Sequence, residues 1–448
     1  MIKILFISLG CDKNLVDTEK MLGLLGREGF AFTDREEEAQ VIIVNTCCFI
    51  GDAKEESINT LLDMARYKEE GSCHALLAAG CLAQRYQKEI LKEIPEVDGI
   101  IGTSAYDGIV SMVKKVLEEK KSHLTCFQDV DALPHTDSPR MVTTGGCYAF
   151  LKIAEGCDKR CTYCIIPNLR GRYRSIPMEE LVQEARVLAA QGVRELILVA
   201  QETTLYGVDL YGEKSLPKML RELVKISGIY WIRLQYCYPE EITDELIQVI
   251  KEEEKICHYL DIPIQHASDS VLRRMGRRTN QETLCAMIEK LRKEIPDIAL
   301  RTTLISGFPG ETQEDFEELY RFVNAMEFDR LGVFAYSMEE DTPAALLPDQ
   351  VPQEIKEARR DELMELQQEI AFEKSEAMVG RIVEVMIEGR VAEEYAYVGR
   401  TYMDSPNVDG LIFVHTSQEL LSGDFLNVRV IKALEYDLIG EVYHESAE

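Results

Sequence analysis

The segment EGCDKRCTYC, residues 155–164, places three cysteines in a polar loop directly after a predicted buried strand. Cys157, Cys161 and Cys164 fall within eight residues. Three thiolates at this spacing can bind three irons of a four-iron cluster while the loop wraps around one corner. A structural zinc site normally has four ligands, and no fourth Cys or His lies nearby. The spacing therefore predicts a 4Fe-4S cluster whose remaining iron is open to a small molecule, with a zinc half-site or chance clustering as the alternative.

The chain around this loop, from residue 147 to about residue 345, alternates six apolar runs with helical patterns. Six strand–helix repeats predict an incomplete (β/α)6 barrel, in which chemistry occurs at the carboxyl ends of the strands. The predicted strands are Tyr148–Ala154, Arg194–Ala200, Trp231–Tyr236, Tyr259–Ile264, Ala299–Ile305 and Leu331–Tyr336. The clearest helical patterns are Met178–Gln191, Glu240–Lys251 and Gln313–Ala325.

The first 120 residues also alternate strands and helices, which predicts a doubly wound parallel sheet. The strands are Lys3–Ser8, Val41–Asn45, Ala75–Ala79 and Gly99–Ile101, and the helices are Asn14–Glu28, Ala53–Lys68, Ala83–Glu93 and Tyr106–Lys120. Cys11, Cys47 and Cys81 each follow one of these strands. Because ligands bind outside the carboxyl ends of parallel strands, the three thiols are candidates for a second cluster. Three unrelated buried cysteines are the alternative.

The C-terminal part differs in pattern. Five short alternating strands within residues 380–444 predict a small antiparallel β-barrel of the oligonucleotide-binding sort, preceded by a charged connecting helix over Gln353–Met378. The strands are Ile382–Ile387, Tyr395–Tyr402, Leu411–His415, Phe425–Ala433 and Ile439–Tyr443. The predicted divisions are residues 1–125, a linker over 126–146 within a polar stretch that contains Pro134 and Pro139, residues 147–374 and residues 375–448.

Composition limits the protein's partners and location. The 448 residues carry a formal net charge of −29, which disfavours a nucleic-acid backbone unless a basic patch is present. Thirteen cysteines without an export signal favour metal or redox chemistry over disulfides. No apolar run approaches the roughly 18 residues of a membrane span. We therefore expect a cytoplasmic protein without membrane contact.

The three-cysteine loop resembles that of the radical S-adenosylmethionine (SAM) enzymes, in which an aromatic residue precedes the last cysteine, here Tyr163. The resemblance implies that the open iron binds SAM and that reduction cleaves SAM to a 5′-deoxyadenosyl radical. It implies no catalytic residue beyond the cluster ligands. The resemblance also suggests residues that contact the cofactor, in the cysteine loop, after the second strand and after the fifth strand. They are Tyr163, Gln201, Glu202, Gly307 and Gly310.

Taken together, the two cysteine sets and the three predicted domains resemble the radical SAM methylthiotransferases over essentially the whole chain. In that family the N-terminal cysteines hold an auxiliary 4Fe-4S cluster, and the terminal barrel is called a TRAM domain. The resemblance transfers the cluster role to Cys11, Cys47 and Cys81. It also implies that SAM serves both as radical source and as methyl donor.

Three segments, Ser8–Asp17, Leu151–Cys157 and Ala200–Thr204, are similar to the branch that modifies an aspartate of small-subunit ribosomal protein twelve. Asp12 and Glu202 depart from that branch, where proline and aspartate are usual. The terminal barrel carries 12 Asp and Glu against 5 Lys and Arg between residues 375 and 444, which suits a basic protein partner better than RNA.

The resemblance implies abstraction of a β-hydrogen from the target aspartate, sulfur delivery from the auxiliary cluster, and a cellular electron donor. Two other functions are alternatives: a tRNA adenosine methylthiotransferase with the same clusters, and an iron–sulfur sensor that binds RNA or ribosomes. Arg170, Arg172 and Arg174 follow the cysteine loop, where they either form a solvated face or bind a carboxylate of SAM or of the substrate.

Overall fold

A computed structural model describes residues 2–118, 123–133, 139–392 and 395–444. Pro134 and the end of the helix predicted to reach Lys120 lie outside these residues. The chain forms two compact units. The first contains residues 1–143, 152–180 and 337–345, and the second contains residues 144–151, 181–336 and 346–448. The predicted domain boundaries stay predictions.

The first unit is built on a six-stranded sheet in which all five pairings are parallel. Its strands are β1 (Lys3–Ser8), β2 (Ala31–Phe32), β3 (Val41–Thr46), β4 (Ala75–Ala79), β5 (Val97–Ile101) and β6 (Leu124–Cys126). Its helices are α1 (Asp12–Arg27), α2 (Gly51–Ala65), α3 (Tyr67–Glu70), α4 (Gly80–Arg85), α5 (Gln87–Glu93) and α6 (Ile109–Glu118). Alternate residues of β3 enter separate apolar cores, which explains its continuous apolar run.

The strand order β2-β1-β3-β4-β5-β6 confirms the predicted doubly wound sheet. In this order the chain reverses direction across the sheet between β1 and β3, which is the position where such sheets bind ligands. The short edge strands β2 and β6 were not predicted. Because β6 pairs with β5, the first residues of the polar stretch around the predicted linker form a strand of this sheet.

The next part of the chain begins with β7 (Tyr148–Lys152), the edge strand of a second sheet. It is followed by a small antiparallel pair, β8 (Ala154–Glu155) and β9 (Arg174–Ser175). The short helix α7 (Ile166–Arg170) lies between these two strands in sequence. The pair therefore closes the base of a loop that contains the three-cysteine motif.

The second unit contains the open sheet β14-β13-β12-β11-β10-β7, in which the pairings from β10 to β14 are parallel. This confirms the predicted incomplete barrel of six strands. The strands are β10 (Glu195–Val199), β11 (Trp231–Leu234), β12 (Ile256–Gln265), β13 (Ala299–Ser306) and β14 (Arg330–Ala335). The helices from residue 178 onward are α8 (Met178–Ala190), α9 (Val208–Tyr211), α10 (Leu216–Leu223), α11 (Asp244–Glu252), α12 (Asp269–Arg274), α13 (Gln281–Glu294), α14 (Gln313–Met326) and α15 (Gln353–Glu376).

The C-terminal strands form a closed barrel in the order β15-β16-β17-β19-β18. The strands are β15 (Ile382–Arg390), β16 (Ala396–Arg400), β17 (Ile412–His415), β18 (Phe425–Ala433) and β19 (Leu438–Val442). Four pairings are antiparallel and β17 pairs with β19 in parallel. A closed ring with an odd number of strands cannot alternate direction throughout, so the predicted antiparallel barrel necessarily contains one parallel pair.

Within the second unit, a buried ionic layer joins the start of the open sheet to the closed barrel. The Arg400 guanidinium contacts the Glu195 carboxylate at 2.7 Å and the Glu388 carboxylate at 2.6 Å. Glu195 also binds Arg233 at 2.6 Å. Although burial opposes ionisation, Arg233 and Arg400 lower the pKa of Glu195 below its usual value. The layer is therefore ionised and mutually compensated.

We expect Arg400→Leu to reduce the free energy of unfolding of this unit by about 3–5 kcal/mol, because the buried Glu195 carboxylate then keeps only one of its two arginine partners. Urea unfolding followed by circular dichroism measures the change. Arg429→Leu is the matched control on the exposed face of the same barrel, where surface substitutions change stability by only about 0.5 kcal/mol. Equal midpoints for the two variants would contradict the expected role of the layer.

Among the described residues, no helix combines the length and the apolar composition that crossing a membrane requires.

Candidate metal centres

The three-cysteine loop is held closed by backbone contacts at its base. The Cys157 amide donates to the Gly171 carbonyl at 3.1 Å. Gly156 adopts a φ of +78°, and a Cβ on it would lie 2.0 Å from the Arg172 carbonyl oxygen. Only glycine fits this close approach of two backbone segments. The base of the loop is thus fixed directly beside the first cysteine.

The Cys164 thiol is affected by the two other thiols of this loop. Burial raises the pKa of Cys164, and the neighbouring Cys161 and Cys157 raise it further. A tight turn joins the last two, since the Cys164 amide donates to the Cys161 carbonyl at 3.0 Å. The Lys159 amide donates to the Cys157 sulfur at 3.5 Å. Tyr163 is half-buried in the same turn. One short loop thus presents three sulfurs together.

The second set of thiols lies at the carboxyl ends of three adjacent strands of the first sheet. Cys11 immediately precedes α1, Cys47 follows β3, and Cys81 is the second residue of α4. Burial raises the pKa of Cys47 to about 12, and the Cys81 and Cys11 thiols add to the rise. The three cysteines therefore lie at one edge of the sheet, beside the β1/β3 reversal.

Polar side chains hold these strand ends in register. The Asn14 amide donates to the Leu9 and Thr46 carbonyls at 3.0 and 2.9 Å. The Asn45 amide donates to the Asn14 carbonyl at 2.9 Å. The Asn14–Thr46 and Asn45–Asn14 bonds join the segment that carries Cys11 to the one that carries Cys47, whereas the Asn14–Leu9 bond lies within the Cys11 segment. The role of these residues was not predicted from the sequence, where the available signal is a polar pair, Asn45 and Thr46, at the end of an apolar strand.

Cys47 has an equally specific backbone position. Its amide donates to the Ser57 hydroxyl at 2.9 Å, and that hydroxyl donates to the Cys47 carbonyl at 2.8 Å. Gly10 has a φ of +84°, and a Cβ there would lie 2.8 Å from the Cys47 sulfur. Glycine before Cys11 therefore keeps the space beside the neighbouring thiol open.

Arg170 connects the two thiol sites within the first unit. Its guanidinium donates to the Asp17 and Glu155 carboxylates at 2.8 and 3.1 Å. It also donates to the side-chain amide oxygen of Asn14 at 2.5 Å and to the Cys81 sulfur at 3.6 Å. The solvated face predicted as one alternative is wrong for Arg170, because its side chain is buried and its carboxylate partners belong to its own chain. Arg172 is exposed.

Both thiol sets fit the donor chemistry of iron–sulfur clusters, which thiolates bind. Within the described ranges, no three Cys, His, Asp or Glu side chains surround one point as ligands of a single ion. A cluster does not require this, since each thiolate binds a different iron. Buried thiols with raised pKa values must lose their protons to bind iron, so cluster assembly releases protons.

The cofactor contacts predicted after the barrel strands lie in the second unit. Glu202 is fully buried, and its carboxylate accepts a hydrogen bond from the Thr204 amide at 2.9 Å. Gln201 is half-buried beside it. Gly307 and Gly310 both have positive φ, and their missing Cβ atoms make room for Lys356 and Arg274. Packing against these two side chains is enough to require glycine at both positions. That Gln201, Glu202, Gly307 and Gly310 contact SAM stays a prediction.

Three family models match the chain. A model described as the radical SAM superfamily matches residues 151–323. One described as uncharacterized protein family UPF0004 matches residues 3–102, and a TRAM domain matches residues 379–442. The chain is similar in fold to the radical SAM methyltransferase TsrM from Kitasatospora setae, with a TM-score of 0.56, 14% identity and 77% of each chain covered. It also resembles the cobalamin-dependent radical enzyme OxsB, with a TM-score of 0.52, 13% identity, and 82% of this chain and 56% of that one covered.

Curated relatives match along the full length. A protein of Lachnoclostridium phytofermentans named ribosomal protein uS12 methylthiotransferase RimO is 65% identical over 98% of this chain and 99% of its own. Proteins of the same name from Acetivibrio thermocellus and Clostridioides difficile are 51% and 48% identical. Each of these two alignments covers 100% of this chain, and they cover 99% and 100% of the respective relatives.

An open barrel of six strands with a Cys-x-x-x-Cys-x-x-Cys loop after its first strand defines a radical SAM enzyme, a class whose fold carries a 4Fe-4S cluster and SAM. The full-length relatives narrow this class, and the chain belongs to the RimO family of methylthiotransferases. The predicted fold class, family and enzymatic activity are confirmed. The tRNA-modifying enzyme and the iron–sulfur sensor are not favoured.

Proposed function

We propose that this enzyme inserts a methylthio group at the β-carbon of an aspartate of ribosomal protein uS12. The observation that carries the proposal is identity of 48–65% over the whole chain to proteins named for that reaction. Two separate three-thiol sites in one compact unit agree with it, because sulfur transfer and radical generation are different tasks. A cytoplasmic location and a cellular electron donor are parts of the same proposal.

The target carbon explains the need for radical chemistry. A β-carbon beside an ionised carboxylate has no proton that a general base tuned near neutral pH could usefully remove. When bound to Cys157, Cys161 and Cys164, a reduced 4Fe-4S cluster would supply the electron for homolytic cleavage of SAM. The chain's contribution is to hold these three thiols on a loop whose base is fixed by Gly156.

We assign the second 4Fe-4S cluster to Cys11, Cys47 and Cys81. Asn14 and Asn45 hold the Cys11 segment against the Cys47 segment through hydrogen bonds to backbone carbonyls. The Thr46 hydroxyl donates to the Ala79 carbonyl and so joins the Cys47 segment to the Cys81 segment. Three thiolates leave one iron of such a cluster without a protein ligand, and that position would accept the sulfur to be transferred. Tyr163, Gln201, Glu202, Gly307 and Gly310 are proposed contacts of SAM.

Charge on the C-terminal barrel supports a protein substrate. Asp404 and Asp409 bind Arg330 and Arg301 of the open sheet, so these two acids are neutralised internally. Arg400, one of the few basic residues of the barrel, is buried as well. The remaining barrel surface keeps its acidic excess, which complements a basic ribosomal protein and repels tRNA phosphates.

The test offers both substrates to the same preparation. Anaerobically reconstituted full-length protein is incubated with SAM, reductant and sulfide, together with uS12 or with bulk tRNA. We expect mass spectrometry to find a methylthio mass gain on an aspartyl peptide of uS12 and unchanged tRNA. Modified adenosine in tRNA with an unchanged peptide would contradict the proposed uS12 substrate but would still agree with methylthio transfer as the reaction.

A further inference from the structure

We propose that Arg170 is a positioning residue that raises the reduction potential of the auxiliary cluster through its hydrogen bond to the Cys81 sulfur. The inference rests on the proposed assignment of that cluster to Cys11, Cys47 and Cys81. It concerns a residue that follows Cys164, at the end of the other thiol site. One side chain thus belongs to the loop that carries one site and contacts a ligand of the other.

The contact is supported by a rigid framework. Arg170 ends α7, and its Nη1 atom binds the Asp17 and Glu155 carboxylates at 2.8 and 3.1 Å. Its Nη2 atom donates to the Asn14 side-chain oxygen at 2.5 Å and to the Cys81 sulfur at 3.6 Å. Four partners around one planar guanidinium fix its orientation, which a flexible lysine could not reproduce.

Asn14 ties this framework to the thiol site itself. The same Asn14 side chain that accepts from Arg170 donates to the Leu9 and Thr46 carbonyls beside Cys11 and Cys47. The Arg170 contact therefore continues into the hydrogen bonds that fix the other two ligands. A displaced guanidinium would alter the surroundings of all three sulfurs.

The charges around Arg170 determine the sign of its effect. Lys152 binds the Asp17 and Glu155 carboxylates, so two cations and two anions form a formally neutral buried quartet. Reduction adds a negative charge to a cluster, and a cationic N–H donor at a ligand sulfur stabilises that charge. Removing Arg170 removes the donor and also leaves an uncompensated carboxylate nearby. Both changes make reduction harder.

The experiment uses the full-length chain with Cys157, Cys161 and Cys164 replaced by alanine, so that the auxiliary cluster alone is reconstituted. Its midpoint potential is measured by redox titration followed by electron paramagnetic resonance. Arg170→Gln is expected to shift the potential to a more negative value, and Arg170→Lys to restore it in part. Lys152→Met is the matched control, since it removes one cation from the same quartet without touching the thiol.

The outcomes separate the inference from the function on which it rests. A smaller shift in Lys152→Met than in Arg170→Gln supports the hydrogen bond. Equal shifts, or an unshifted Arg170→Gln with its cluster intact, overturn it. If the parent variant binds no cluster, the auxiliary site itself is wrong.

A second measurement covers the case in which Arg170→Gln does not fold. The parent variant is labelled with 15N-arginine, and hyperfine spectroscopy of the reduced cluster is recorded. We expect a 15N coupling from arginine, because the donor nitrogen lies 3.6 Å from a ligand sulfur. The absence of arginine coupling would overturn the proposal without any substitution at Arg170.

Discussion

Replacing Cys157 by alanine is expected to abolish reductive cleavage of SAM. The loop then offers only two thiolates, and its cluster loses a ligand at the corner next to the fixed base. The Cys157 amide keeps its bond to Gly171, so the backbone of the loop has no reason to rearrange. Chromatographic measurement of 5′-deoxyadenosine under anaerobic conditions, together with iron analysis, checks the result. We expect cleavage at the background rate and about half of the iron.

Cys285→Ala is the matched control for this experiment. Cys285 lies on α13 and belongs to neither thiol set. The control should retain both iron and SAM cleavage. Cleavage by Cys157→Ala at the rate of the unsubstituted enzyme would show that the radical cluster is bound elsewhere, because two cysteines of one short loop cannot replace the third.

Replacing Cys47 by alanine is expected to separate the two tasks of the enzyme. SAM cleavage should continue, whereas the methylthio product should fall to background because the auxiliary cluster has lost a ligand. Ser57 bonds the backbone of Cys47, so the substitution leaves both Ser57 hydrogen bonds in place. The measurements are 5′-deoxyadenosine formation and the mass gain of the uS12 peptide in one reaction mixture.

The control for Cys47→Ala is Cys73→Ala. Cys73 is also buried in the first unit, and its thiol donates to the Ala75 carbonyl at 3.3 Å, at the amino end of β4 and not at its carboxyl end. This control should form product, apart from any loss of folded protein. Continued product formation by Cys47→Ala would refute the role of Cys47 in sulfur transfer.

The sequence predicted most strands because buried parallel strands are nearly continuous apolar runs. β3 is buried at every residue, and the predicted start of this strand at Val41 agrees with the structure. The edge strands β2 and β6 contain two and three residues and are only partly buried, so no hydrophobic period distinguishes them from loops. The parallel β17/β19 pair follows from closure of the ring, which a local pattern does not contain.

The two thiol sets were predicted for two different reasons. Cys157, Cys161 and Cys164 were selected by their spacing, and Cys11, Cys47 and Cys81 by the rule that parallel strands end at one edge of the sheet. Arg170 was not predictable, because its partner Asp17 is 153 residues away and charged side chains are normally exposed. The contact between Arg170 and the buried Cys81 thiol arises only when the chain is folded.

The ionic layer of the second unit also limits how freely the C-terminal barrel can be exchanged between proteins. A foreign barrel without a counterpart of Arg400 would leave Glu195 with only Arg233, and one without Asp409 would remove a partner of Arg301. Such a graft would leave buried charges without their ion-pair partners even if the barrel itself folded correctly. Evolutionary exchange of this barrel therefore requires coordinated change on both sides of the layer.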